Sequence, residues 1–214
     1  MEYPILAANS TWYKGTTKRK TITEINIVDI YAETGNETEI WNADAEDNGS
    51  IKCYITDTIL TIAGNGSGKI SLNSDASFTF CDSGMKETFA KVNSINGINL
   101  IDSSLATTFF GIFAFCSSLT ELDLNTWNTS NVTTLRNAFY GCSALTTLNI
   151  SNWDISNSIH LFYTFCNCSK LTVLDLNNWD TSKVFSIESI FNGCSALTTL
   201  NISNWDTSNV TNMG

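Results

Sequence analysis

Proline is almost missing from this chain: among 214 residues only Pro4 is one. Turns must therefore be made by Asn, Ser, Thr, Asp and Gly, through side-chain bonds to nearby backbone or through free backbone torsions. Long apolar runs are missing too. No stretch of 18 apolar residues occurs, which excludes a membrane-spanning helix. The apolar fraction of 43% is nevertheless that of an ordinary folded chain, enough for a sizeable core in one or two domains. The opening residues, "MEYPILAANSTWYKG", lack the basic-then-apolar layout of a signal peptide. Export by another route, a leader absent from this sequence, or assembly inside a cell are the expectations that follow.

Basic residues are scarce, 11 Lys and Arg against 21 Asp and Glu, for a net charge of −10. Within residues 1–20, Lys14, Lys18, Arg19 and Lys20 face only Glu2, a balance of +3, so the other 194 residues carry −13. An acidic body of this kind argues against nucleic acid as the main ligand. The basic start is either a solvated arm or a contact for a phosphate or an acidic neighbour. Histidine occurs once, as His160. No nucleophile elbow or acid–base pair surrounds it, so a non-enzymatic chain without a cofactor is expected, with His160 at or near the surface. Seven cysteines, an odd number, exclude a complete set of internal disulfides.

What the chain has in abundance is repetition. "CSALTTLNISNWD" runs from Cys142 to Asp154 and again from Cys194 to Asp206, 52 residues apart. Half that distance is the true period. Cys116, Cys142, Cys168 and Cys194 are spaced by 26, as are Trp127, Trp153, Trp179 and Trp205. The same spacing relates Leu119, Leu145, Leu171 and Leu197, then Leu122, Leu148, Leu174 and Leu200. Leu124, Ile150, Leu176 and Ile202 form another column, and Phe113, Phe139, Phe165 and Phe191 a further one. A fixed period of this size marks a stack of units, each too small to bury its own core. "LTELDL" alternates around Leu122 and Leu124 as a short half-buried strand does. "SNWDTSN" is turn chemistry, after which Ser130 or Asn131 is expected to cap a short helix burying Val132, Leu135 and Phe139. One thiol per unit reads as a ladder of small buried hydrophobes rather than a zinc or redox site, and free thiols favour folding in a cytoplasm. The tryptophans read as core.

"LTELDLNTWNTSNVTTLRNAFYGCSAL" and "LTVLDLNNWDTSKVFSIESIFNGCSAL" resemble the BspA-like leucine-rich repeats of bacterial surface proteins, also frequent in mycoplasmal lipoproteins. The likeness covers about residues 95–214 and implies an α/β leucine-rich-repeat solenoid, short parallel strands plus short helices or turns, used for adhesion and recognition. On that fold the residues between the buried leucines face outward on the concave side. The candidate binding residues are then Thr120, Glu121, Asp123, Asn125, Thr146, Thr147, Asn149, Ser151, Thr172, Asp175, Asn177, Thr198 and Asn201. Their hydroxyls and amides suit a sugar or an extended peptide, and no aromatic stacking platform is expected beside them. The plain alternative is a soluble sheet surface.

Residues 1–20 are expected to be a basic N-terminal arm, 21–90 a small all-β domain, 91–118 a degenerate capping repeat, and 119–214 the 26-residue repeats, the last incomplete. "ITDTI" and "GNGSG" are hairpin-turn candidates. "AGNGSGKI" falls short of a phosphate loop because Ile70 stands where Ser or Thr would hold magnesium. Asp44, Glu46 and Asn48 in "DAEDNGSI" are spaced like the first half of a calcium loop, with Ile55 where the bidentate Glu belongs; a polar turn is the other reading. "STWYKGTTKR" and "IAGNGSGKI" resemble β heads on similar repeat proteins of prophages in gut bacteria. The expected function is recognition of a protein or glycan on a bacterial surface or phage particle; the alternative is a structural tail or baseplate component whose β head docks on other virion proteins. Because the sequence stops inside a unit, either a truncated product or an end that stacks on another chain is expected.

Overall fold

A computed structural model describes residues 6–7, 13–15, 17–46, 48–81 and 88–214. The alternation of "EINIV" places Ile25 and Ile27 inward in β1 (Glu24–Val28), and that of "KCYIT" places Cys53 and Ile55 inward in β3 (Lys52–Thr56). β2 (Glu39–Asn42) and β4 (Ile59–Ala63) pair antiparallel with β3 on either side. Asp57, left-handed at φ 55°, closes the β3–β4 hairpin within "ITDTI". β4 then pairs parallel with β1, and β1 with β6 (Ser94–Asn96), giving one mixed sheet in the order β2-β3-β4-β1-β6. Its last strand is thus taken from residues beyond position 90.

"GNGSG" does not make a hairpin. β5 (Ile70–Ser71) pairs parallel with β7 (Ile101–Asp102), not with β4. The intervening loop is tied to the end of β1: Gly64 and Gly66 donate their N–H groups to the carbonyls of Val28 and Asp29, and Gly68 donates to the Asp29 carboxylate at 2.7 Å. The loop carries the chain from the large sheet towards the repeats.

In the repeats, β8 (Glu121–Asp123), β9 (Thr147–Asn149), β10 (Val173–Asp175) and β11 (Thr199–Asn201) are three-residue strands 26 positions apart. β8 pairs with β9 and β10 with β11, both parallel. A second line of contact follows the bridges Thr134–His160, His160–Ser186 and Ser186–Asn212. The expected α/β leucine-rich-repeat solenoid is not what forms. No α-helix occurs among the described residues, only 3-10 turns at Arg19–Thr21 and Ile98–Leu100, and the architecture is nearly all β with mixed sheets. The reason lies in two left-handed positions per unit. Gly111, Asn137, Tyr163 and Ser189 form one such column; Phe115, Gly141, Asn167 and Gly193 form the other. A left-handed residue every few positions breaks a right-handed helix. Val132, Leu135 and Phe139 are still fully buried, but from turns. Asn128, not Ser130, supplies the local cap, accepting both the Ser130 N–H and its hydroxyl, while Asn131 donates to Ser104 O on the preceding unit.

The repeated apolar letters are the core. Leu119, Leu122 and Leu124 and their equivalents in the next two units are buried, and one hydrophobic cluster runs unbroken from Leu6 to Ile190. Phe80, Phe113, Phe139, Phe165 and Phe191 stack nearly parallel, at 4.9, 5.8, 5.7 and 5.8 Å between successive centroids. Each column thiol donates to a phenylalanine carbonyl one unit back: Cys142 to Phe113 O, Cys168 to Phe139 O and Cys194 to Phe165 O, all at 3.1–3.2 Å. Trp153 and Trp205 do the same with Nε1, to Leu124 O and Leu176 O at 3.0 and 3.1 Å.

Two seams interrupt the strand edge. No strand pairing joins β9 to β10 or β6 to β8 among the described residues. At the first, Trp179 Nε1 is buried with no acceptor. There, too, Ile155 replaces a threonine: Thr129 and Thr181 donate to Asp154 O and Asp206 O across the paired units, and isoleucine has no hydroxyl to give to the next. At the second, Gly97 adopts φ 74° and turns the chain into the 3-10 turn Ile98–Leu100 instead of extending β6. A Cβ at Gly97 would collide with Ile27 O. Gly97→Ala should cost more than about 2 kcal/mol through torsional strain plus clash, lowering Tm by roughly 4–8 °C. Gly35→Ala, also left-handed but with nothing within 4 Å, should lose only the torsional part; paired thermal melts check the difference.

Candidate functional site

The polar residues of the strands and the turns after them alternate with the buried leucines. Thr120, Glu121, Asp123, Thr146, Thr147, Thr172, Asp175 and Thr198 are exposed, while Asn125, Asn149, Ser151, Asn177 and Asn201 are half-buried. Much of this polarity serves the backbone. Asp123 accepts the Asn125 N–H and Asp175 the Asn177 N–H, each closing the turn after its strand. The Asn125 amide oxygen accepts the Asn152 N–H at 2.8 Å and the Ser151 hydroxyl; Asn177 accepts the Ser203 hydroxyl. Thr146 and Thr198 donate to Thr120 O and Thr172 O. Glu121 and Thr147 side chains have no such partner among the described residues.

The seam at Gly97 opens a cleft of about 450 Å³ on this face. Ile95 and Ile98 line one wall; Glu121, Leu122, Asp123, Thr147 and Asn149 line the other. It brings together candidates from β8 and β9 and joins them to apolar groups from the sheet domain. Thr172, Asp175, Asn177, Thr198 and Asn201 stand apart, beyond the seam between β9 and β10. A larger hollow, about 580 Å³, is lined by Ile187, Phe191, Ile202 and Trp205 of the last unit, which are core-column residues.

The remaining candidates resolve differently. Asp44 is buried and its carboxylate accepts the N–H groups of Asn48, Gly49 and Ile51, while the Asn48 amide donates to Glu46. Both Asp44 oxygens are turned onto backbone N–H groups, and no cluster of three metal-ligating side chains occurs among the described residues; Asp47 lies outside them. Arg19 is not solvated: its guanidinium donates to Cys81 O at 2.8 Å and lies over the rings of Tyr13 and Phe89. The column thiols are more than hydrophobes, since each is a donor, and burial holds them protonated; that of Cys194 is raised to about 11.

Sequence reasoning missed the opposite edge. Phe110, Arg136, Phe162 and Glu188 occupy one position at the 26-residue spacing, next to the bridge residues Thr134, His160 and Ser186. The signal was available as a column that alternates ring, cation, ring and carboxylate, beside the equally variable bridge column Thr134, His160, Ser186 and Asn212. His160 packs edge-on against Phe162 and Phe185, at 5.4 and 4.4 Å, and its Nδ1 is buried with no partner. Burial first, and the Arg136 charge second, lower its pKa from the ordinary value.

Millimolar calcium should leave Tm unchanged, whereas Asp44→Ala should destabilise by about 1–3 kcal/mol by orphaning buried N–H groups; denaturant melts measure both. His160 should titrate below about 6.5, so the unfolded chain binds the proton first. Its contribution to stability is whole above that value and is lost as pH falls through the folded pKa. Proton NMR of this single histidine, with Arg136→Gln expected to raise the midpoint, is the measurement.

Residues 83–173 and 159–214 match the family described as "Mycoplasma protein of unknown function, DUF285". No curated protein and no solved structure matches the chain. Since the two matched stretches together run from residue 83 to residue 214, more than half of the sequence, the chain belongs to this family.

Proposed function

We propose that the chain is a non-enzymatic recognition module which binds a protein or glycan through the exposed strand face of its repeats, on a bacterial surface or a phage particle. The observation that carries this reading is the cleft between Ile95 and Ile98 on one side and Glu121, Asp123, Thr147 and Asn149 on the other. It pairs an apolar wall with acidic, hydroxyl and amide groups, the mixture that fixes a ligand's orientation while excluding water. Glu121 and Thr147 offer their full hydrogen-bonding capacity there. The neighbouring amide and hydroxyl ladder holds the wall rigid, which lowers the ordering cost of binding. The likeness of the repeats to bacterial surface proteins supports the same class of function. No helix among the described residues is long and apolar enough to cross a membrane.

A glycan and peptide array identifies the ligand class. The combined variant Asp123→Asn, Asn149→Ala, Asp175→Asn keeps the turn-closing acceptors at 123 and 175 while removing both charges and one amide. Binding of any array hit should fall at least about tenfold, equivalent to ~1.4 kcal/mol, with the melting curve little changed. If every hit stays bound at full strength, the strand face is not where ligands dock.

A further inference from the structure

The geometry points to a second binding site, on the edge opposite the strand face, in which Arg136 between Phe110 and Phe162 receives the carboxylate of an acidic sugar. The three residues stand at one position on successive units, locked side by side: the N–H of Gly111 donates to Arg136 O at 3.0 Å, and that of Asn137 to Phe162 O at 3.2 Å. Units joined in this way lie about 4.8 Å apart. The Arg136 guanidinium sits 4.9 Å from the Phe110 centroid and 4.5 Å from that of Phe162, with a ring on either side. A long, flexible cation is thereby held in place while remaining exposed.

Its charge is left unmatched. Glu188, the next residue in the column, accepts the Tyr163 hydroxyl at 2.7 Å and the Asn212 amide at 2.8 Å. No hydrogen bond or ion pair engages the Arg136 guanidinium among the described residues. A planar fork with its N–H groups free is complementary to one carboxylate. The surroundings narrow the ligand further. A polyphosphate or nucleic acid needs several cations, and the body of this chain is strongly acidic. A peptide that docks as an added strand gains its affinity by pairing with free backbone groups. Here the N–H groups of Gly111, Asn137 and Tyr163 and the carbonyls of Arg136, Phe162 and Glu188 are already bonded unit to unit. What remains is aromatic surface: half-buried Phe110 and Phe162, and Phe185, 40% exposed. A uronic acid presents an apolar C–H face beside a single carboxylate, matching rings that flank a single guanidinium.

Calorimetric titration of the 214-residue protein with a glucose oligomer ending in one glucuronate, and with a neutral glucose oligomer of equal length, tests the site. The acidic oligomer should bind at least about tenfold more tightly, weaken with added salt, and shift the only histidine resonance. Arg136→Gln should lose at least tenfold, and Arg136→Lys, which keeps the charge but not the fork, should also weaken binding. The variant at Asp123, Asn149 and Asp175 should bind the acidic oligomer unchanged, so failure here leaves the strand-face reading standing, and the reverse. Equal affinity for the two oligomers, no binding of the acidic one at millimolar concentration, or full binding by Arg136→Gln overturns the proposal. Tighter binding of a peptide bearing one carboxylate overturns it as well.

Discussion

Stacked units leave carbonyl oxygens inside an apolar core, where each is stable only if a donor reaches it. Strand pairing satisfies some, but the strands are three residues long and the rest of each unit is turn. Turn N–H groups such as those of Cys116 and Trp127 give these carbonyls one donor, and side chains that are apolar over most of their surface, with one donor at the tip, add a second from the next unit. Cys142, Cys168 and Cys194 reach phenylalanine carbonyls, and Trp153 and Trp205 reach those of Leu124 and Leu176. A valine or leucine would fill the same volume but give up the bond between units, at about 0.5–1.5 kcal/mol, and leave the carbonyl only the N–H of its own turn. The rest of the structure depends on this arrangement. The phenylalanine rings can stack at 5.7–5.8 Å because the bonds to their own carbonyls hold successive units in register.

The same logic explains why the long identical string recurs at 52 rather than 26 residues. Units are joined in pairs along the strand edge, β8 with β9 and β10 with β11. Within a pair, Asp123 lies beside Asn149 and Asp175 beside Asn201, so no two carboxylates face each other. Between pairs the threonine donor is replaced by Ile155 and the Trp179 N–H finds no acceptor. The opposite edge does not share the interruption: Tyr163 N–H to Glu188 O and Phe165 N–H to Ile190 O carry the ladder across. Each seam is an opening on one edge of an otherwise continuous stack.

Burial was legible in the sequence because every column repeats the same demand. Leu122, Trp153, Phe139 and Cys142 are where their spacing puts them. The helix expected after each turn was not, because Phe115, Tyr163 and Ser189 do not look like left-handed residues. Their columns contain Gly111, Asn137, Gly141, Asn167 and Gly193, and reading each column as a whole marks a turn that no single unit declares. "GNGSG" misled for another reason. Its glycines bond to the end of β1 and the following strand pairs some thirty residues ahead, a long-range choice that local turn chemistry does not encode. Arg19 looked like part of a solvated arm, since nothing in its neighbourhood announces the Cys81 carbonyl that receives it.

The two edges of the stack consequently offer different things. Along the strands, amides and hydroxyls are largely committed to each other and to the backbone, and the chemistry hardly changes from unit to unit. Such a surface gains distinctiveness only where the stack is interrupted, as it is where Gly97 admits Ile95 and Ile98 beside Glu121 and Asp123. Along the bridge edge the backbone is bonded unit to unit while side chains vary, among them the column Phe110, Arg136, Phe162, Glu188. A repeat scaffold whose backbone is bonded from unit to unit presents a variable outward position with little conformational freedom left to lose. Neighbours such as Phe110 and Phe162 then act on Arg136 as a rigid frame rather than as three independent side chains. Rigidity that arises from satisfying buried carbonyls is thereby passed to the surface, where it governs which ligands meet preformed groups.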